Sequence, residues 1–181
     1  PGSFSAIITS VALVLIPLLI PLMTNANGDF KKVRLLRLSH TACWYLSAII
    51  AVHMLVSGPA LMSVFFTEDK MIYESAQYFN FLILGNFLSS LTVALYVVNI
   101  SASRFNHHLI IIGVVAFSAV PIYFLALHFF GLIGIPIGFV ILQSILVFWY
   151  VSASLRKMEA GLRSYRFILF PLIFAFVMLV A

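Results

Sequence analysis

The sequence predicts an all-α bundle of transmembrane helices, and three observations predict it. The 181 residues are 64% hydrophobic and only 8% charged, with a mean hydropathy of +1.17, whereas a soluble domain carries about a quarter charged residues. The apolar residues form continuous runs rather than the alternation of a membrane β-strand, and several runs reach the ~20 residues a spanning helix needs. The basic residues gather in alternate connections between those runs, as the positive-inside rule requires.

Six runs follow one another. The first, about 4–23, is bounded by Pro1-Gly2 and by the turn-forming segment from Asn25 to Asp29. The second, about 41–66, ends at Thr67-Glu68-Asp69-Lys70, and the third, about 78–100, ends at Ser101-Ala102-Ser103-Arg104. From Leu109 to Phe148 no Asp, Glu, Lys or Arg occurs. That is too long for one crossing, so a hairpin is expected at Gly131-Leu132-Ile133-Gly134-Ile135-Pro136, dividing the stretch into spans of about 109–130 and 133–154. Pro136 then falls in a first helical turn, where its missing N–H is tolerated. A sixth run begins at 167 and stops at Ala181, short of a full crossing. Together with the absence of an initial methionine, this leads us to expect a fragment missing material at both ends.

Charge gives the orientation. Lys31, Lys32, Arg34 and Arg37 follow the first span, Arg104 the third, and Arg156, Lys157, Arg163 and Arg166 the fifth. The remaining connections hold Lys70 alone, beside Glu68, Asp69 and Glu74. Loops 24–40, 101–108 and 155–166 are therefore expected in the cytoplasm. The net charge of +5 thus reports topology; it lacks the dense basic face of a nucleic-acid binder, and no nucleic-acid partner is expected. Asp29 is a suitable N-cap for an amphipathic helix over 29–40 lying at the cytoplasmic interface. Its basic face would meet anionic lipid headgroups or a substrate pyrophosphate, and simple anchoring of the topology explains the same residues.

Polar residues within spans are the candidates for a substrate path, because such groups face other helices or water. His53 lies midway along the second span, where it would exchange a proton, hydrogen-bond a sugar or phosphate oxygen, or join two helices. Asn86, Ser89 and Ser90 share one face of the third span, which suits a polar cavity or close packing through the Gly85/Ser89 pair. Gln143 lies midway along the fifth span and admits both readings. His128 lies near the outer end of the fourth. Gly134 and Gly138 form a GxxxG suited to helix packing. Pro17, Pro21, Pro59 and Pro121 interrupt backbone hydrogen bonds within spans, a feature of gated transporters. The only cysteine, Cys43, excludes an intrachain disulfide and a cysteine-rich metal site. His107 and His108 are adjacent, hence about 100° apart on a helix and poorly placed to chelate. No HExxH, GxSxG or glycine-rich phosphate loop is present, so neither an enzyme, a metal nor a cofactor is expected.

The run Asn27-Gly28-Asp29-Phe30-Lys31-Lys32-Val33-Arg34 between a proline-bearing span and the next resembles the span–GD–basic–span element of the multidrug/oligosaccharidyl-lipid/polysaccharide exporter superfamily. The acidic, aromatic-rich outer stretch 57–69, the polar turn 99–104 and the Gly-rich hairpin 131–138 resemble the elements that follow it there. The resemblance implies the C-terminal lobe of a drug-exporter-like two-lobe transporter, with spans one to five as the family's helices eight to twelve. The sixth run resembles the thirteenth helix of the polysaccharide branch. The implied function is translocation of an undecaprenyl-pyrophosphate-linked oligosaccharide, such as an O-antigen repeat unit, across a bacterial inner membrane by alternating access. The implied partners are that substrate, membrane lipids and the N-terminal lobe of the same chain. No Lys or Arg lies deep in any span, which departs from the cationic cavity such a substrate calls for unless the other lobe supplies it. The alternatives are a multidrug or cation antiporter of the same superfamily, a non-transporting assembly subunit, and a membrane enzyme acting on lipid-linked sugars.

Overall fold

The computed structural model describes residues 29–101 and 105–156, with positions 7, 10, 13, 14, 17, 20–22 and 25 before them. Every element among these residues is helical, with no strand. Four long helices, α1 (Asp29–Ser63), α2 (Asp69–Ser101), α3 (Phe105–Phe130) and α4 (Gly134–Arg156), are joined in part by a 3₁₀ turn at Gly131–Ile133. Most of the expected first span, the connection 26–28, the residues 102–104 and 157–166 of the expected cytoplasmic loops, and the sixth run 167–181 lie outside the described residues. So do the side chains of Lys31, Lys32, Arg37 and Asn99.

Hydropathy marks where a helix is apolar, not where it starts. The 29–40 segment, expected as a separate interfacial helix, is the first third of one continuous 35-residue helix. Between Asp29 and Ser57 no glycine or proline interrupts the backbone, so helix propagates, to about 52 Å at 1.5 Å per residue. Arg34 is exposed on this extension. Pro59 and Pro121 likewise sit inside α1 and α3 without ending them. α1 stops at Ser63, where the Phe65 and Phe66 amides both donate to the Met62 carbonyl. α2 begins nine residues before the expected span, with Asp69 in its first turn, where an acidic group favours the helix N-terminus.

α2 is the central element. α1 packs along one side of it and α4 along another, α3 packs on α4, and α2 touches α3 only sparingly. From α1, Ser39, Cys43, Ser47, Ala51, Met54, Gly58 and Met62 are buried at three- and four-residue spacing, and the small side chains among them let the helix lie close. From α2, Phe79, Ile83, Phe87 and Leu91 fill the core, met by Ile111 of α3 and by Val140, Val147 and Tyr150 of α4.

Glycines set the closest approaches. A Cβ on Gly85 of α2 would lie 2.3 Å from the Phe139 ring of α4, and one on Gly138 2.8 Å from the Tyr123 ring of α3. At Gly134 the obstruction is backbone, the Ala126 carbonyl oxygen at 2.1 Å. The Gly134/Gly138 pair thus packs the α3–α4 hairpin, whose turn is made by Gly131 at φ +63°, a conformation that favours glycine.

The outward faces are apolar. Phe117, Val120 and Phe124 of α3 are 84%, 74% and 70% exposed, and Val56 of α1 is 81% exposed. Among the described residues two stretches, Thr41–Ser63 and His108–Tyr150, are long and apolar enough to cross a membrane, and 11% of the most apolar part of the second is buried within the chain. Soluble proteins rarely leave contiguous apolar surface of this kind in water; it suits association with a membrane. The hydroxyls on these helices bond back to their own turns, as Ser57 to the His53 carbonyl (2.7 Å), Ser118 to Val114 (2.8 Å) and Ser144 to Val140 (2.8 Å).

Two glycine substitutions test this packing in opposite directions. Gly134→Ala drives a methyl into backbone and is expected to cost about 1–3 kcal/mol, the usual cost of overpacking. Gly113→Ala on α3, with nothing within 4 Å, is expected to gain about 0.5–1 kcal/mol from helix propensity. Unfolding of the purified protein in mixed micelles reads both, and equal effects would contradict the packing.

Candidate functional site

Phe139 lying on Gly85 fixes the register of α2 against α4. Beyond that contact Ser89, Thr92, Val93 and Tyr96 of α2 and Gln143, Leu146 and Tyr150 of α4 line one space, and Tyr96 and Tyr150 both pack on the His108 ring. The two helices therefore run in the same direction. The space between them is an open cleft of about 470 Å³, closed at the sides by His108 and Ile112 of α3 and by Leu13. That volume lies within the roughly 300–1,000 Å³ of small-molecule sites.

At the α2–α3 end of the cleft, three helices meet through three rings. His108 Nδ1 and the Tyr150 hydroxyl form a hydrogen bond. Depending on the tautomer, the phenol O–H donates to a bare Nδ1 or Nδ1–H donates to the phenol oxygen. The Tyr96 ring packs against the imidazole with centroids 4.6 Å apart at 59°. His108 and Tyr150 are both buried, so each satisfies a polar atom that would otherwise be costly to remove from water. Since α2 and α3 have little other contact, this cluster holds the start of α3 against the bundle.

Among the described lining residues none is Asp, Glu, Lys or Arg. Thr92 donates to the Ser89 carbonyl at 2.7 Å, while Ser89 and Gln143 side chains have no hydrogen-bond partner among the described residues. The arrangement offers an amide, hydroxyls and aromatic faces in an apolar frame. It provides hydrogen bonding and stacking rather than a nucleophile or a charged acid–base pair. No three His, Cys, Asp or Glu side chains among the described residues are grouped to hold a metal ion.

The path candidates from the sequence separate in space. Gln143 lines the cleft. Asn86 is half-buried and donates from Nδ2 to the Leu82 carbonyl at 2.9 Å, and Ser90 is buried with its hydroxyl on the Phe87 carbonyl at 2.6 Å. Neither lines the cleft; of their shared face only Ser89 does. His53 is exposed on α1, apart from the cleft. Sequence reasoning did not single out Tyr96 or Tyr150, and weighed His108 only with His107 as a poor chelating pair. The available signal was depth: all three fall at the same end of consecutive helices, but tyrosine there is ordinarily taken for an interfacial belt residue.

No family model, curated protein or solved structure matches the chain. The site's meaning therefore rests on its own chemistry.

Removing one partner of the buried ring pair should leave the other unsatisfied. Tyr150→Phe is expected to lower stability by about 1–3 kcal/mol. In a double-mutant cycle with His108→Leu, the combined loss should fall short of the sum by about 1 kcal/mol; strict additivity would show that the two side chains do not interact.

Proposed function

We propose that this chain is one lobe of a multi-pass α-helical transporter of a bacterial inner membrane, which translocates a lipid-linked oligosaccharide by alternating access. The observation that carries the reading is the uncharged, polar-aromatic cleft between α2 and α4, set within helices whose outward faces are apolar. A non-transporting anchor has no use for such a cleft. An amphiphile does, since its saccharide needs hydrogen bonds and ring faces while its lipid tail stays against apolar helix surface.

The charge distribution along the sequence supports placing the Tyr96–His108–Tyr150 end on the cytoplasmic side, where a lipid-linked sugar made inside the cell would enter. The exposed apolar faces of α3 and α4 meet lipid. His53, an imidazole midway along an apolar helix and exposed in this lobe, supports a second lobe N-terminal in the same polypeptide, because such groups turn to protein or water rather than to lipid. That lobe would supply the cations for the pyrophosphate. A cation antiporter in this superfamily needs an acidic group at its site, and none occurs among the described lining residues, which favours the saccharide.

The reading is tested with the complete polypeptide that carries this chain, reconstituted in liposomes with an undecaprenyl-pyrophosphate-linked oligosaccharide bearing a fluorescent sugar. Appearance of the sugar at the opposite leaflet is expected above protein-free liposomes, slowed about tenfold by Tyr96→Ala, a change equivalent to about 1.4 kcal/mol in the barrier. Translocation no faster than in protein-free liposomes would refute it.

A further inference from the structure

The cleft's lining says which part of an amphiphile it takes. We infer that the Ser89–Tyr96–Gln143 wall of the cleft is a binding subsite for a neutral, hydroxyl-rich ring, a saccharide unit, and that it excludes both phosphate and ammonium groups. The inference deepens the transport reading above and rests on it.

Exclusion of ions follows from the missing countercharge. An anion or a cation entering the cleft would lose its hydration and meet no opposite charge on any described lining residue, a heavily unfavourable exchange in apolar surroundings. Aromatic rings attract a cation and several together can enclose a quaternary ammonium, but this wall presents the single half-buried face of Tyr96.

Selection of a polyol follows from what remains. The Gln143 amide can donate twice and accept, and the Ser89 hydroxyl can do both; neither is engaged by another described side chain. Thr92 spends its proton on the Ser89 carbonyl and keeps acceptor capacity. A ring carrying several hydroxyls satisfies these groups together, whereas a plain hydrocarbon would leave them buried and unpaired. Tyr96 supplies a half-buried aromatic face for the C–H side of the ring. His108, tied to Tyr150 behind it, acts as a positioning residue that fixes the plane of Tyr96.

Three probes sharing one tail test the subsite: hexyl β-glucoside, hexyl phosphate and hexyltrimethylammonium. Their binding to the 181-residue chain in lipid nanodiscs is measured by saturation-transfer NMR, with empty nanodiscs subtracted. Hexyl glucoside is expected to bind and to lose about tenfold or more in affinity in Tyr96→Ala and in Gln143→Ala. The other two probes are expected to show bilayer partition alone. Tyr96→Phe, which keeps the ring, should retain more affinity than Tyr96→Ala, separating stacking from a folding defect.

Glucoside affinity unchanged by both alanine variants, or either ionic probe competing as well as the glucoside, would overturn the inference. Binding is read apart from translocation, so the two readings fail separately. A chain that binds glucoside in the expected way within a protein that moves no lipid-linked sugar refutes transport alone. A protein that moves it while glucoside binding ignores Tyr96 and Gln143 refutes the subsite alone.

Discussion

The ring of Phe139 lying across Gly85 is the contact on which the rest of the arrangement depends. With any larger residue at position 85 either the Phe139 ring would have to turn away or the two helices would have to part, since even a Cβ would lie 2.3 Å from the ring. Because α2 and α4 run in the same direction from that point, the contact sets the register for each following turn. Ser89 and Gln143 then line the same space, and Tyr96 and Tyr150 meet on His108. The cleft thus lies between a tight crossing at one level and bulky aromatic groups about three turns further on. The Gly134 and Gly138 contacts then fix α3 against α4, and the His108–Tyr150 bond fastens its other end.

A second constraint shapes the polar groups. In apolar surroundings a hydroxyl or amide that finds no partner is costly, and the cheapest partner is the carbonyl one turn back on the same helix. Ser57, Ser90, Ser118, Ser144 and Asn86 all take it. Side chains satisfied in this way are compatible with packing, with lipid or with a cleft wall, as Thr92 lines the cleft while its proton rests on the Ser89 carbonyl. Ser89 and Gln143 line the same space without such a bond. The contrast marks the polar residues whose donors remain open to the cleft. Ser47 stands outside both groups: its buried hydroxyl has no partner among the described residues, and nothing in the structure explains it.

The helical class was legible in the amino-acid sequence because composition and unbroken apolar runs leave few other solutions, and the turn at Gly131 was legible because glycine and proline cluster there. Helix extents were legible only in part. A start at Asp29 was expected from its capping chemistry, but not its continuity with the apolar span, and the helix from Asp69 runs through charged residues into apolar ones of which hydropathy registers only the second part. The site was legible in part. Gln143 stood out as an amide deep in an apolar run, but Tyr96, His108 and Tyr150 acquire their meaning only from the register between α2, α3 and α4, which is a tertiary property. Asn86 and Ser90 drew notice on chemistry, and each donates to a carbonyl of its own helix rather than lining the cleft. His53 is conspicuous in one dimension and exposed in three, a position whose sense depends on what covers α1.

In the proposed topology the four helices cross a membrane in alternation, with the Tyr96–His108–Tyr150 end toward the cytoplasm. Single cysteines placed by Arg34→Cys, Lys70→Cys, Arg104→Cys and Leu132→Cys in a Cys43→Ala background, labelled in intact cells with an impermeant maleimide, address it most directly. The account predicts that positions 70 and 132 label at once and that 34 and 104 label only after permeabilisation. Labelling of all four from one side, or release of the protein from membranes by alkaline washing, would contradict it.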